Sequence, residues 1–275
     1  MIFIQLLKMR TAILYIDLNE RVYMKLIVTD LDRTLLRNDK SISEYTVEIL
    51  NRCREAGYYT AFATARAENG MVRFIDAIKP DAIISSGGAV ISVNGNVIYE
   101  KAMSVSDVKT IVRMCNEFTG GKGRLTAESV NGYFSNFVPD DPDRYNAFKY
   151  VDFTEFAFPC YKITAELERD EFGEIIARAC DDCSVISYSG ELWQRFASKT
   201  STKELALQTL ARYYKINMSN VIAFGDDTND IGMLKISGTS VAVFNAIQEV
   251  KDVADFITKS NDEDGVAGFL KLNIL

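Results

Sequence analysis

Residues Lys25 to Leu36 read KLIVTDLDRTLL and form the stretch that decides the fold. A short apolar run with β-branched members is typical of a strand buried on both faces of a sheet. Two aspartates, Asp30 and Asp32, follow this run directly. Open α/β sheets bind ligands at the carboxyl ends of their strands, so this strand would bring charge to such an edge. An Asp-x-Asp by itself more often marks an acidic turn, and the function has to be argued from the rest of the chain.

The composition narrows the class of protein. The chain has 275 residues and is 48% apolar, which is enough for a packed core. Its net charge of −7, without a long basic run, argues against a nucleic-acid partner. No run approaches the roughly 18 apolar residues that a membrane span needs, so we expect no membrane association. A small anionic substrate would then require a local positive centre such as a bound cation.

Five cysteines are scattered through the chain, and this odd number does not resemble the disulfide framework of a secreted protein. We therefore expect reduced thiols in a cytoplasmic protein. Cys180 and Cys183 form a C-x-x-C, but the second pair of ligands for a zinc site is missing. We interpret both residues as buried helical thiols.

The absence of histidine from the sequence limits the chemistry further. It excludes Ser-His-Asp and Cys-His catalysis, histidine-ligated zinc and histidine general bases. Acid-base work would have to fall to carboxylates, lysine or tyrosine.

The opening strand begins a succession of strands and helices. We predict a helix between Ser43, which fits an N-cap, and Gly57, followed by a strand over Tyr58 to Thr64. A helix over Glu68 to Ile78 and a buried strand over Ala82 to Ser85 come next. This alternation predicts a parallel sheet with right-handed crossovers, and hence an α/β fold with a Rossmann-like, three-layer core.

The pattern changes after the third strand. Asn94 and Gly95, placed between alternating apolar residues, predict a hairpin over Val90 to Glu100. Mixed short strands with two helices follow before the α/β alternation resumes. Such a mixture is typical of a separate α+β unit inserted into the first fold.

We therefore predict a chain of three parts. Residues 25–103 and 196–275 would form the α/β core, and residues 104–195 an inserted α+β cap domain. Residues 1–23 would be an N-terminal extension. They lack the features of a signal peptide, and we favour an artefact of start-site choice, with the protein beginning at Met24.

Two acidic loops each follow a short apolar strand, DLD at Asp30 to Asp32 and GDDTND at Gly225 to Asp230. The strands of a parallel sheet end at one edge, so the two loops can converge. Carboxylates brought together repel each other unless a cation is shared among them. Oxygen ligands without histidine or thiolate suit Mg²⁺. A magnesium ion at this edge in turn indicates a phosphorylated substrate.

In these motifs the sequence resembles the haloacid dehalogenase (HAD) superfamily of phosphatases, and within it the Cof-type, class IIB group with a large C2-type α+β cap. The family's Asp-x-Asp-Gly-Thr-Leu is matched by Asp30 to Leu35, and its Thr-Gly-Arg by Thr64 to Arg66. Its Ser-Lys-Gly-x-Ala-Leu is matched around Lys203, and its Gly-Asp-x-x-Asn-Asp by Gly225 to Asp230. The resemblance runs from Met24 to the C-terminus, with the motifs in the family's order.

The resemblance implies a role for each matched residue. Asp30 would be the nucleophile that accepts the phosphoryl group, and Asp32 would serve as acid and then as base. Asp30, Asp226 and the backbone carbonyl of Asp32 would hold Mg²⁺. The others would bind the phosphate or orient the groups around it: Lys203 as a catalytic cation, Thr64, the Ala65 amide and Asn229 at the phosphate, and Asp230 beside the lysine and the metal.

The activity that the resemblance implies is Mg²⁺-dependent hydrolysis of small phosphorylated metabolites, such as sugar phosphates, through an aspartyl-phosphate. A phosphomutase and a weakly active or non-catalytic phospho-ligand binding protein are the alternatives. The second alternative is motivated by three departures, because Arg33 and Ala65 replace motif glycines and Gly87 stands where the group usually has asparagine. An arginine would be strained at a position that needs a positive φ, and turnover would then be low. Candidates for selecting the leaving group, chosen by their location in the cap alone, are Arg124, Asn136, Arg144 and Trp193.

Overall fold

The computed structural model describes residues 25–139, 148–187 and 192–275. The predicted extension over residues 1–23 and the cap candidate Arg144 lie outside the described residues. The first part of the chain alternates strands and helices and ends in a hairpin. Its elements are β1 (Lys25–Thr29), α1 (Glu44–Glu55), β2 (Tyr58–Ala63), α2 (Val72–Ile78), β3 (Ala82–Ser85), β4 (Val90–Val93) and β5 (Asn96–Glu100).

In the middle of the chain, the described residues form two helices and six short strands. These elements are α3 (Val105–Thr119), β6 (Leu125–Ser129), β7 (Gly132–Ser135), β8 (Lys149–Tyr150), β9 (Lys162–Glu166), α4 (Asp170–Arg178), β10 (Ser184–Ser187) and β11 (Trp193–Ala197). The last part returns to alternating helices and strands. Its elements are α5 (Lys203–Tyr214), β12 (Val221–Gly225), α6 (Ile231–Ile236), β13 (Thr239–Ala242), α7 (Gln248–Val253), β14 (Phe256–Ile257) and α8 (Gly265–Asn273).

The first and last parts share one eight-stranded sheet in the order β14-β13-β12-β1-β2-β3-β4-β5. All its strands from β14 to β3 pair in parallel, and β4 and β5 continue the sheet antiparallel. Strand β1 lies at the centre, between β2 and β12, and Leu26, Ile27 and Val28 are completely buried. An apolar side chain on each face explains why this strand takes the central place. The predicted α/β fold with a parallel-sheet core is confirmed.

A second sheet contains the strands of the middle part, in the order β10-β11-β9-β6-β7-β8. Its pairs are antiparallel except for β7 with β8. One face is covered by α3 and α4, where side chains such as Ile111 and Ile176 pack against Ile163 and Phe196 in a hydrophobic core of their own. The structure thus has an α+β unit inserted in the α/β chain. The boundaries at 103/104 and 195/196 remain a prediction, and β11 runs two residues past the second of them.

The other face of the second sheet carries polar side chains that reach the first sheet's loops. Lys162 on β9 donates to the carbonyl oxygen of Ala65 at 2.9 Å. Glu128 on β6 pairs with Lys162 at 2.6 Å and accepts a hydrogen bond from the Ser86 hydroxyl at 2.9 Å. Lys162 and Glu128 are almost fully buried, so the cap lies directly on the carboxyl edge of the core sheet.

Two local predictions need correction. The first turn of the predicted helix over Glu68 to Ile78 is a 3₁₀ turn, and the α-helix begins only at Val72. All five cysteines are buried free thiols, but Cys180 and Cys183 lie in the turn after α4 rather than in a helix. The chain leaves the helix there because the main-chain N–H of Asp181 donates to the Asp107 carboxylate at 2.9 Å, outside the helical pattern. Within the described ranges, no helix combines the length and the apolar character needed to cross a membrane.

Candidate active site

A buried ion cluster lies at the carboxyl ends of the neighbouring strands β1 and β12. The Lys203 Nζ atom lies 2.6 Å from Asp30 Oδ1 and 2.7 Å from Asp230 Oδ1. Asp226, which directly follows β12, belongs to the same cluster, because ligand oxygens of Asp30, Asp226 and Asp230 lie within 4.8 Å of one another. All four side chains are at least nine-tenths buried. The structure therefore brings together residues that are nearly 200 positions apart in the sequence.

The lysine reaches the cluster because its helix begins at the right residue. Thr202 caps α5, and its hydroxyl oxygen accepts a hydrogen bond from the N–H of Leu205 at 3.2 Å. Lys203 is consequently the first residue of the helix, at the end that faces the sheet edge.

The acidic loop after β12 is held by its own hydrogen bonds. Asp230 Oδ2 accepts from the N–H groups of Asp226 at 3.0 Å and Asp227 at 3.2 Å. A Cβ atom at Gly225 would overlap the Asp230 carboxyl, so this position requires glycine. Asp226 Oδ1 in turn accepts from the Thr34 hydroxyl at 2.8 Å. Asp230 uses both oxygens to support the loop and the lysine, which leaves Asp30 and Asp226 as the better candidates for holding a cation.

Burial and mutual repulsion perturb the carboxylates. Burial raises the pKa of Asp30 well above its ordinary range, against the attraction of Lys203 and together with the repulsion of the other aspartates. Burial and then the repulsion of Asp230 raise the pKa of Asp226 to about 7. Burial alone would lower the pKa of Lys203, but Asp230 and Asp30 raise it. Three carboxylates around one ammonium group need further positive charge, and oxygen donors fit a hard divalent cation.

Asp32 lies beside this cluster, but its carboxylate has different partners. Arg66 Nε and Nη2 donate to its two oxygens, each at 2.7 Å, and Lys40 Nζ lies 2.9 Å from Oδ1. Burial alone would raise the pKa of Asp32, but the hydrogen bonds and charge of Arg66, followed by those of Lys40, hold it well below its usual range. The metal set predicted from the sequence uses only the backbone carbonyl of Asp32, and the carboxylate points to Arg66.

Sequence reasoning assigned no role to Arg66, Lys40 or Thr34. Arg66 ends the matched Thr-Gly-Arg motif, so its motif position was an available signal. Thr34 also belongs to a matched motif, so its motif position was a signal of the same kind. Lys40 carries no such signal, because its approach to Asp32 depends on a turn in which Lys40 has a φ of 64°.

The remaining predicted residues surround a pocket between core and cap. Ala65, Lys203 and Asn229 line a cavity of about 220 Å³ together with Ile186 and Arg195 of the cap. Thr64 follows β2 at the same sheet edge, and its hydroxyl oxygen accepts from the N–H of Arg66 at 3.1 Å. The cavity is therefore bounded by residues predicted for phosphate binding on one side and by cap residues on the other.

The cap candidates have other partners. Asn136 accepts from the N–H of Leu125 at 2.8 Å and donates to the carbonyl of Gly123 at 2.9 Å, so its amide group holds two strands together. Arg124 pairs with Glu166 at 2.8 Å, and its guanidinium lies 5.1 Å from the ring centre of Trp193. None of these residues lines the cavity of about 220 Å³ described above.

Arg33 occupies a left-handed backbone conformation with a φ of 61°. Its carbonyl oxygen accepts from the Asn245 amide at 2.7 Å, and its exposed guanidinium lies 3.9 Å from the Asp226 carboxylate. The left-handed region costs an L-amino acid about 1–2 kcal/mol, which glycine avoids. Arg33, which replaces the family's glycine, is therefore strained in its backbone at the position next to Asp32.

Comparisons with known proteins found a matching family model, similar sequences and similar solved structures. The model of the haloacid dehalogenase-like hydrolase family matches residues 27–270. A Bacillus subtilis relative, the 5-amino-6-(5-phospho-D-ribitylamino)uracil phosphatase YitU, is 27% identical to this chain. The match covers 90% of this chain and 96% of the relative's length. The crystal structure of a HAD-superfamily phosphatase from Bacteroides thetaiotaomicron is 26% identical, with a TM-score of 0.77 over 92% of this chain and 96% of that one. A HAD subclass IIB sugar phosphatase shares the fold at 24% identity, with a TM-score of 0.80 over 90% and 98% of the two chains.

The strain at Arg33 predicts an unusual order of stabilities. Arg33→Gly and Arg33→Ala both remove the guanidinium, but only glycine relieves the positive φ, so the glycine variant should be more stable by about 1 kcal/mol. Urea denaturation without added metal measures the free energies of unfolding. Lys109, an exposed residue of α3, is the matched control, since glycine should there be less stable than alanine by a similar amount. If Arg33→Ala is as stable as Arg33→Gly, the proposed backbone strain at position 33 is contradicted.

The raised pKa values predict how Mg²⁺ stabilises the protein. Because the pKa of Asp226 in the folded protein lies above its ordinary value, the metal-free protein should lose stability as the pH rises from about 4 to 7. Protons compete with Mg²⁺ for these oxygens, so Mg²⁺ should raise the unfolding temperature more at pH 8 than at pH 5.5. Asp226→Asn should lose most of this effect, and Asp76→Asn, an exposed substitution on α2, should keep it. A Mg²⁺ effect independent of pH, or retained by Asp226→Asn, would contradict the assignment.

Proposed function

Since the chain belongs to the haloacid dehalogenase-like hydrolases, a family of hydrolases whose phosphatases act on phosphate monoesters, we propose that it hydrolyses small phosphorylated metabolites with Mg²⁺ through an aspartyl-phosphate intermediate. The observation that carries this proposal is the buried Lys203 ammonium held between Asp30 and Asp230, beside Asp226. A buried cluster with excess negative charge is suited to a cation and to the oxygens of a phosphoryl group.

Asp30 is the proposed nucleophile. One of its oxygens accepts from Lys203, which fixes the carboxylate at the end of β1 and offsets part of its charge. In the first step a carboxylate oxygen of Asp30 bonds to phosphorus, the ester bond between phosphorus and the leaving oxygen breaks, and that oxygen takes a proton. In the second step water attacks phosphorus, loses a proton to a base and releases phosphate from Asp30.

Mg²⁺ bound by Asp30, Asp226 and the carbonyl of Asp32 would supply positive charge to the carboxylates and to the phosphoryl oxygens. The protein's own groups complete the site. Lys203 neutralises charge at the nucleophile, and Thr64, the Ala65 amide and Asn229 bind the remaining phosphate oxygens. Asp230 keeps the lysine in place through its bond of 2.7 Å.

Asp32 is the proposed acid and base, and its electrostatics favour one of these tasks. With Arg66 and Lys40 as partners the carboxylate stays ionised, which suits the step that activates water. Donation of a proton to the leaving oxygen requires weaker contact with at least one of these cations. Lys40 is the more exposed partner, so we propose that its contact is the one that substrate binding loosens.

The substrate class follows from the site and from the relatives. The cavity next to Lys203 has polar and apolar walls, among them Ser184, Ile186 and Asn229, which suit a small hydroxylated leaving group. A sugar phosphate and 5-amino-6-(5-phospho-D-ribitylamino)uracil, the compound in the name of the Bacillus subtilis relative, both carry such a group. We propose these classes as the first substrates to test. The free thiols found in the structure support the proposal of a cytoplasmic protein.

The role of Asp30 predicts loss of activity with little loss of stability. Asp30→Asn removes the nucleophile and a buried charge with a raised pKa, so Mg²⁺-dependent hydrolysis of p-nitrophenyl phosphate should fall by at least about a thousandfold. The unfolding temperature should change little or rise. Asp76→Asn is the control and should retain wild-type rates. A rate for Asp30→Asn equal to that of wild type would refute the aspartyl-phosphate mechanism, and inactive wild-type protein that still binds phosphate esters would favour the binding-protein alternative.

The role of Asp32 predicts a dependence on the leaving group. Asp32→Asn should lower kcat/KM for a sugar phosphate by roughly 10²- to 10⁴-fold, because an alkoxide leaves poorly without a proton. The loss should be much smaller for p-nitrophenyl phosphate, whose phenolate leaves readily. Measuring kcat/KM confines the comparison to the first phosphoryl transfer. Equal losses for the two substrates would show that Asp32 does not protonate the leaving group.

A further inference from the structure

The loop between β3 and β4 connects two halves of the site. The N–H of Ser86 donates to the carbonyl of Arg66 at 2.8 Å, and the N–H of Gly87 donates to the carbonyl of Thr64 at 2.9 Å. On its other side the loop packs against the start of α5, so closely that a Cβ atom at Gly88 would overlap the backbone of Thr202. The position of this loop therefore fixes the phosphate-binding residues after β2 relative to Lys203.

A cap residue reaches into the same place. Arg195 lies on β11 and only 4% of its surface is exposed. Its Nη2 atom lies 3.3 Å from the carbonyl oxygen of Ser86, 3.4 Å from that of Gly87 and 3.4 Å from that of Ser201. The first two carbonyls belong to the loop, and the third lies two residues before Lys203. One guanidinium from the cap thus contacts both halves of the site.

The fit of this guanidinium depends on a glycine. A Cβ atom at Gly87 would overlap the guanidinium of Arg195, so any side chain at position 87 would displace it. Gly87 has a φ of 73°, a conformation that also favours glycine. Position 87 is one of the three departures from the family pattern, and Arg195 fills the space that a side chain at this position would take.

We propose that Arg195 is a positioning residue that holds the β3–β4 loop against the start of α5 and so sets the distance between the phosphate-binding residues and Lys203. The inference rests on the proposed phosphatase function. The planar guanidinium of arginine can serve several acceptors at fixed directions, which a smaller or apolar side chain cannot do. Small displacements at a site of this kind cost large factors in rate, because the reacting groups leave their productive geometry.

A mutant cycle between Arg195 and Gly87 tests the proposal. Arg195→Met removes the guanidinium, and Gly87→Ala displaces it, so each should lower kcat by on the order of tenfold. The factor should be similar for p-nitrophenyl phosphate and glucose 6-phosphate, because the defect lies on the side of the phosphoryl group. The double variant should be no slower than the slower single variant, since both changes remove the same contact. Gly95→Ala, which has a similar φ of 77° but open space around the new Cβ, controls for backbone strain and should stay within about twofold of wild type.

Several outcomes would overturn the proposal. Losses that multiply in the double variant would show that the two residues act independently. An effect confined to KM for one substrate would make Arg195 a leaving-group contact. If Gly87→Ala and Gly95→Ala lower kcat equally, backbone strain alone explains the loss in Gly87→Ala. If wild-type protein lacks Mg²⁺-dependent turnover, the proposed function fails, and the contact between Arg195 and Gly87 can still be tested by measuring the unfolding temperatures of the same variants. Additive shifts in unfolding temperature would overturn the contact, and a double variant that falls clearly short of additivity would support it.

Discussion

The buried contact of Lys203 with Asp30 and Asp230 is the interaction on which the rest of the site depends. Charges removed from water must be paired closely, since a buried charge without a partner costs several kcal/mol. The fold meets this condition by ending β1 and β12 side by side and by starting α5 at the lysine itself. Asp226 adds a further carboxylate to the same volume, where burial and then the repulsion of Asp230 raise its pKa to about 7. The proposed binding of a cation would thus follow from the way in which the chain folds.

The two aspartates of the opening motif differ because their environments differ. Asp30 lies in the buried, negatively charged cluster, and its pKa is raised there. Asp32 lies two residues away between Arg66 and Lys40, which lower the pKa of Asp32. Opposite shifts in neighbouring carboxyl groups are a common basis for separate catalytic roles. Here burial and the neighbouring aspartates raise the pKa of Asp30 against the attraction of Lys203, whereas Arg66 and Lys40 lower the pKa of Asp32 against the effect of burial. The cap extends the same scheme, because Lys162 and Arg195 bring buried cations to the carbonyl groups of the loops that bound the site.

Much of this arrangement could be predicted from the sequence, because apolar runs fix the strands and parallel strands end at one edge. These patterns were sufficient for the α/β fold and for expecting the loop of Asp30 to converge with the loop of Asp226 and Asp230. Lys203 was expected at the same place only from the resemblance to the HAD superfamily. The resemblance also identified the conflict at Arg33, which replaces the motif's glycine and has a positive φ in the structure. The partners of Asp32 could not be predicted in this way, because Arg66 and Lys40 reach its carboxylate through side-chain directions that sequence spacing does not encode. The contact of Arg195 with Gly87 joins the second sheet to the first and depends on the place of the cap over the core, which periodicity cannot specify.

Transfer of the phosphoryl group to Asp30 is the central step of the proposed mechanism, and this transfer can be observed directly. Wild-type protein would be mixed with substrate and Mg²⁺, quenched in acid within the first turnover, digested at low pH and analysed by mass spectrometry. We expect one phosphoryl group on the peptide that contains Lys25 to Leu36, located at Asp30, and this group should disappear as turnover proceeds. Substrate consumed in the first turnover without phosphorylation of this peptide, or with the phosphoryl group on another residue, would contradict the proposed mechanism.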